Sequence, residues 1–203
     1  MGASSRARTV VLVEGESDRL ALAAAARRLG VDLAGSSVEV RSMRGITNLR
    51  KHLAELAESP ERLRILGLYD ANEVEQVVRA LAAVGMMRPA PGGPGALESL
   101  GFYGCVGDLE DEVIRAAGSA EVERSLAAAG DLAKFRTFQG QPAQRERSIE
   151  AQLHRFAGTA SGRKAGFAVD IIERIPIERM PRPLVALIET AVRGSDDDSS
   201  PSR

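Results

Sequence analysis

Acidic side chains recur directly after short apolar runs of this chain. Three such groups are present: Glu14 with Asp18, Asp70, and Asp108 with Glu110. If these groups meet in the fold, their negative charges repel one another, and hard divalent cations such as Mg²⁺ offset that repulsion through oxygen ligands. Two such ions about 4 Å apart are a common arrangement for phosphodiester cleavage. The pattern therefore predicts a metal-dependent phosphoryl-transfer site.

The first apolar run shows how the elements could position these acids. Residues 9–13 are apolar or β-branched throughout, which indicates a strand buried on both faces of a parallel sheet. Glu14 ends this strand, Gly15 permits a turn, and Ser17 or Asp18 can cap the helix that follows. Because ligands of open α/β sheets bind beyond the carboxyl ends of the strands, Glu14 and Asp18 lie where chemistry is expected.

The order of strand, acid and helix holds in three of four units along residues 9–118. Strands are predicted at 9–13, 37–40, 64–69 and 102–106, and helices at 20–29, 47–58 and 72–84, with a further helix beginning near Asp108 and Glu110. Residues 85–101 are dense in Pro and Gly and predict an irregular surface connection. We therefore expect an α/β fold with about four mainly parallel strands flanked by helices.

The remainder of the chain has a helical pattern. Helices are predicted at 120–129, 145–156, 163–175 and 183–192. Residues 119–193 are expected to form a helical carboxyl-terminal portion that packs on, or completes, the α/β core at 9–118. Residues 1–8 are expected to be a flexible tail, and the polar residues 194–203 a disordered one.

Net charge, cysteine content and the length of the apolar runs limit which classes of protein this chain could belong to. The net charge of −1 gives no global basic field, although a local basic surface could still bind nucleic acid. The single cysteine, Cys105, excludes an internal disulfide and suits a reducing cytoplasm. No apolar run approaches the roughly 20 residues that span a bilayer, so we expect a soluble cytoplasmic protein with no membrane partner.

Several motifs carry a family resemblance. VLVEGESD at 11–18 resembles the glutamate motif of the Toprim fold, and GLYDANE at 67–73 lies where that fold has its second motif, Asp-x-Asp. The overcoming lysogenization defect (OLD) family of Toprim nucleases is most similar, because GITNL, DLEDE and SGRK follow in the same order. The resemblance spans roughly residues 9–190 by motif order.

The resemblance implies a Toprim, Rossmann-like fold and a role for each matching residue. It implies that Glu14 is a metal ligand or the general base, and that two Mg²⁺ or Mn²⁺ ions are held by Glu14, Asp18, Asp70, Asp108 and Glu110. Lys164 would stabilise charge on the phosphate, with help from Arg163, so both are candidate nucleic-acid contacts.

The chain also departs from the family pattern. Asn72 occupies the place of the second Asp, as a neutral ligand that would lower the charge holding one metal. Asn72, Glu73 and Asp111 are each further possible ligands or supporting residues. OLD proteins carry an ABC-type ATPase domain ahead of Toprim, whereas this sequence has no GxxxxGK[ST] motif, so we expect no ATP site here. A separate ABC-type ATPase chain could be a partner.

Three functions are compatible with the sequence. The first is a Mg²⁺- or Mn²⁺-dependent endonuclease acting on DNA, and the second is a non-catalytic regulatory or binding module, or a subunit needing a separate ATPase. The third is a primase-like or RNA-processing enzyme. His52, His154, Glu73 and Glu112 are each interpreted most simply as structural or solvated residues of helices.

Overall fold

The structure is a computed structural model. It describes residues 8–87, 94–159 and 161–193, and only the backbone of residues 94 and 161–165. The expected tails at 1–8, apart from Arg8, and at 194–203 lie outside the described residues, as does the centre of the 85–101 connection.

The described residues form one parallel sheet. Its strands are β1 (Arg8–Val13), β2 (Val38–Ser42), β3 (Leu63–Asp70) and β4 (Phe102–Cys105). Their order is β2-β1-β3-β4, with every neighbouring pair parallel. Strand β1 is central, and its Val10–Val13 segment is at most 1% exposed. The predicted α/β class and parallel sheet are confirmed.

Helices connect and cover these strands. They are α1 (Glu16–Arg28), α2 (Leu49–Ala57), α3 (Val74–Ala83), α4 (Pro94–Ser99), α5 (Leu109–Ala117), α6 (Ser119–Ala128), α7 (Leu132–Gln139), α8 (Ile149–Ala157), α9 (Ser161–Ile172) and α10 (Arg182–Arg193). Single 3₁₀ turns lie at Ile46–Asn48, Ala71–Glu73 and Ile177–Arg179. Among these described helices none is both long enough and apolar enough to cross a bilayer.

Each face of the sheet has its own hydrophobic core. On one face, Val10, Leu12 and Phe102 pack with α2, α3 and α4. On the other face, Val11 and Val13 pack with α1, α5 and the carboxyl-terminal helices α8, α9 and α10. Helix α9 lies against α1, and α10 lies against β3 and β4. The alternation of side chains along each buried strand divides the apolar residues between these two cores.

Two helices were not predicted. Helix α4 lies within the 85–101 connection, which was expected to be irregular. Proline is tolerated in the first turn of a helix, and Leu97 buries its side chain completely, so the segment is helical despite its composition. Helix α7 buries only Phe135, which leaves too weak an apolar periodicity to predict it.

Candidate metal centre

The acids of three adjacent strands meet at the carboxyl edge of the sheet. Glu14 follows β1, Asp70 ends β3, and Asp108 follows β4 after a two-residue turn. Asp70 pairs with Cys105 in the register of β3 and β4, and the Ala71 N–H donates to the carbonyl of Gly107 at 2.9 Å. The parallel order of β1, β3 and β4 therefore places all three acids on one side of the molecule.

Three carboxylates form what we call the strand-end cluster: Glu14, Asp70 and Glu73. One oxygen from each lies within 4.8 Å of the others. Glu73 is held in place partly through the Asp70 N–H, which donates to Glu73 Oε2 at 3.4 Å. Asp18 closes the neighbouring turn in the same manner, accepting from the Gly15 N–H at 2.8 Å. These local hydrogen bonds hold the turns that carry the acidic side chains.

The acids strongly affect one another. Burial, then the negative charges of Glu73, Asp108, Asp18 and Glu14, raise the pKa of Asp70 to about 8. Burial, followed chiefly by the charge of Glu14, also raises the pKa of Glu73. Burial and like-charge repulsion thus act together on these carboxylates, which lie close to one another in a poorly solvated space.

A second group, which we call the helix cluster, consists of Asp108, Asp111 and His154. Their ligand atoms also lie within 4.8 Å of one another. His154 Nε2 is 2.7 Å from Asp108 Oδ2, and Asp108 Oδ1 accepts from the Asp111 N–H at 2.9 Å, which caps α5. Burial opposes protonation of His154, but its hydrogen bond to Asp108 and the charges of Asp108, Asp111 and Glu110 raise its pKa overall.

His154 and Glu112 correct the sequence interpretation. His154, expected to be structural or exposed, is partly buried and contacts Asp108, which lies 46 residues earlier in the chain. The spacing of these two residues in the sequence does not predict that contact. Glu112 was expected on a solvated face, but it is 7% exposed, accepts from the Val106 N–H at 2.7 Å and pairs with Arg115.

The other predicted site residues differ in exposure and in their relation to these two clusters. Glu73, predicted either as a further ligand or as a solvated residue, belongs to the strand-end cluster. Asn72 beside it is exposed. Glu110 is 3% exposed on α5, and its charge acts on His154. Asp18 acts on both Asp70 and Glu73 through its charge.

Arg163 and Lys164 are backbone positions near the start of α9. Their side chains lie outside the described part of the structure. Helix α9 itself packs against α1 and α5, the two helices that begin beside the acids.

The donor atoms fit divalent cations. The strand-end cluster offers only carboxylate oxygens, the ligands that Mg²⁺ and Mn²⁺ prefer. A cation would also offset the negative charges that, after burial, raise the pKa of Asp70. The helix cluster adds one imidazole nitrogen to its two carboxylates.

Comparison with known proteins gives this architecture a family context. Residues 7–69 match the family model described as "Overcoming lysogenization defect protein-like, TOPRIM domain". That match includes Glu14 and Asp18 and ends one residue before Asp70. No curated protein matches the chain.

Solved structures extend the likeness to nearly the whole chain. The C-terminal region of the Xanthomonas campestris pv. campestris OLD protein superposes with a TM-score of 0.72 at 20% identity, covering 95% of both chains. The C-terminal region of the Burkholderia pseudomallei OLD protein gives a TM-score of 0.69 at 17% identity, covering 93% of this chain and 98% of that one. Residues 7–69 are therefore similar to the OLD-like Toprim domain, and the chain as a whole has the fold of these OLD C-terminal regions.

Proposed function

We propose that this chain is a Mg²⁺- or Mn²⁺-dependent endonuclease that hydrolyses phosphodiester bonds in DNA. The observation that carries the proposal is the strand-end cluster, in which Glu14, Asp70 and Glu73 offer oxygens within 4.8 Å of one another. A fold holds such mutually repelling acids together at a cost in stability, and a bound cation offsets that cost.

Each acid has a role in this proposal. One oxygen of Glu14 lies within 4.8 Å of oxygens of Asp70 and Glu73, which favours its role as a ligand over that of a distant base. Asp18, Asp108 and Glu110 would complete the ligand set for two ions. Bound divalent ions would supply Lewis-acid stabilisation of the phosphate and activation of a water molecule.

Glu73 offers an answer to the missing second aspartate of the Toprim motif. Asn72 occupies that sequence position, yet Asn72 is exposed while the carboxylate of Glu73 enters the cluster. In our proposal, the 3₁₀ turn Ala71–Glu73 directs the next acidic residue into the site instead. The negative charge expected of the family motif is thereby retained.

Hydrolysis fits this chain better than strand transfer through a tyrosine. Both tyrosines are buried, Tyr69 at 3% exposure and Tyr103 at 8%. Burial raises the pKa of Tyr69, and the Tyr103 hydroxyl is hydrogen-bonded to Thr190 at 2.7 Å. A topoisomerase-like tyrosine nucleophile would have to reach a phosphate, so we assign the attack to water.

The proposal is tested by nicking of supercoiled plasmid in Mg²⁺ or Mn²⁺, with EDTA as the blank. E14Q, D70N and E73Q should each lower the rate by about 100-fold or more, because each removes a ligand charge. E16Q is the matched control for Glu14, since Glu16 is exposed and pairs with Arg19. N72A is the control for Glu73, and both controls should cleave like the wild type.

Calorimetric titration with Mn²⁺ separates the alternatives. Binding without cleavage would favour the regulatory module or a need for a separate ABC-type ATPase chain, for which Asn72 is the motivating observation. Cleavage of structured RNA but not plasmid would favour the RNA-processing function. No Mn²⁺ binding up to millimolar concentration, or full activity in both E14Q and D70N, would overturn the nuclease proposal.

A further inference from the structure

His154 contacts the acidic edge from the carboxyl-terminal portion of the chain. Its Nε2 atom is 2.7 Å from Asp108 Oδ2, and the other oxygen of that carboxylate accepts the Asp111 N–H at 2.9 Å. Each oxygen of Asp108 thus has a hydrogen-bond partner on a different element. Together the two contacts fix both the position and the plane of the carboxylate.

The backbone that carries His154 is itself firmly held. Helix α8 begins at a capped turn, where Ser148 Oγ accepts the Ala151 N–H at 3.2 Å. Leu153 and Phe156, on either side of His154 along the helix, are 0% and 3% exposed. The ring of Phe156 packs against Phe135 with centroids 5.2 Å apart. His154 is therefore presented to Asp108 from a well-packed support.

We infer that His154 is a positioning residue, which orients the Asp108 carboxylate for the divalent cation of the proposed nuclease. The inference rests on the proposed function. A carboxylate oxygen has two lone pairs, so one hydrogen bond to each oxygen still leaves Asp108 able to bind a cation. Hydrogen-bonded partners of metal ligands restrict ligand orientation, and their loss commonly lowers metal affinity by about 10- to 100-fold.

The contact also gives the carboxyl-terminal helices a part in the site. Asp108 begins the helix α5 that follows the last strand, and α8 packs directly on α5. The orientation of one acid is thus set by a segment of the chain that contributes no strand to the sheet.

Two substitutions separate positioning from general packing. H154Q keeps an N–H donor close to the position of Nε2, whereas H154L removes it at similar volume. The chain has one other histidine, His52 on α2, and H52L is the matched control. We would measure Mn²⁺ affinity by calorimetry, thermal unfolding in EDTA, and kcat and KM for plasmid nicking.

We expect H154L to weaken Mn²⁺ binding by about 10- to 100-fold and to lower kcat with little change in KM. H154Q should remain close to the wild type, and H52L should be unchanged. In a double-mutant cycle, adding H154L to D108N should cause little further loss, because the two residues act through one contact.

Three results would overturn the inference. Wild-type Mn²⁺ affinity in H154L would leave no role for the contact, and equal loss in H154Q and H154L would point to direct metal ligation by the imidazole. A fall in thermal stability with unchanged Mn²⁺ affinity would show a purely structural role. If the wild type itself binds no Mn²⁺, the proposed function fails as well, whereas the first three results leave it standing.

Discussion

At the scale of single residues, Asp70 is strongly affected by its surroundings. It lies half-buried at the end of β3, among four other acids whose charges act on it. With its pKa raised to about 8, Asp70 is largely protonated at neutral pH when no cation is bound. A divalent ion would then displace this proton, so metal binding by the proposed site should release protons.

This raised pKa predicts a pH dependence of stability in EDTA. An unfolded aspartate titrates near pH 3.9, so between about pH 4 and about pH 8 the folded state keeps a proton that the unfolded state has lost. The contribution of Asp70 to stability is thus complete at low pH and is lost as the pH rises through about 8. One proton sets a ceiling of about 1.4 kcal/mol per pH unit, and partial exposure reduces it.

Urea unfolding across this pH range measures the effect. The free energy of unfolding of the wild type should decline between about pH 5 and about pH 8, and D70N should decline less because the side-chain amide of that variant cannot titrate. Added Mg²⁺ should reverse much of the decline in the wild type only. Identical slopes in the two proteins would contradict the raised pKa.

At the scale of elements, the turn between β4 and α5 positions Asp108, the first residue of the helix cluster. Gly107 adopts φ +85°, and a Cβ there would collide with the carboxylate of Asp111. Its carbonyl also accepts the Ala71 N–H at the end of β3. Glycine is required here both for the backbone conformation and for the close approach of Asp111.

Replacement of Gly107 should therefore affect both stability and the site. G107A should lose about 1–2 kcal/mol from the left-handed backbone alone and more from displacement of Asp111. Gly130 is the matched control, because it has φ +73° with no atom near the added Cβ. Equal losses in G107A and G130A, measured by urea unfolding, would show that the Asp111 contact adds nothing.

The sequence allowed the sheet and its acidic edge to be predicted, with Asp108 and Asp111 as site residues, but not the presence of His154 beside them. Uninterrupted apolar runs such as 9–13 indicate buried parallel strands, and acids at the ends of such strands must share an edge. The contact of His154 with Asp108 depends on how α8 packs on α5, which short-range periodicity does not encode. The sequence left Glu73 open between a ligand and a solvated residue for a similar reason, since its position depends on the single 3₁₀ turn Ala71–Glu73.

At the scale of the whole molecule, the carboxyl-terminal helices and the sheet share one core. Ile171 of α9 is fully buried in the same cluster as Val11 of the central strand. Helices α9 and α10 are thus packed into the interior of the protein, as α1 is. We expect the sheet and these helices to unfold together.

A pair of isoleucines tests this cooperativity. I171A should cost about 2–5 kcal/mol, because it leaves a cavity at a fully buried position. I177A, at a position 53% exposed, should have little effect. Calorimetry should show a single transition in both variants. The Tm of I171A should be lowered by about 2–4 °C for each kcal/mol lost from the free energy of unfolding. A separate early transition in I171A would mean that the helical portion unfolds independently.

The pairing of Asp70 with Cys105 in β3 and β4 has a practical consequence. Cys105 is the only thiol of the chain, is 2% exposed, and has a pKa raised by burial and by the charge of Asp70. An alkylating reagent can therefore reach it only when this end of the sheet opens. Cys105 is thus a natural single-site reporter of local opening beside the acidic edge. Its rate of alkylation measures how often this end of the sheet opens, without an engineered probe.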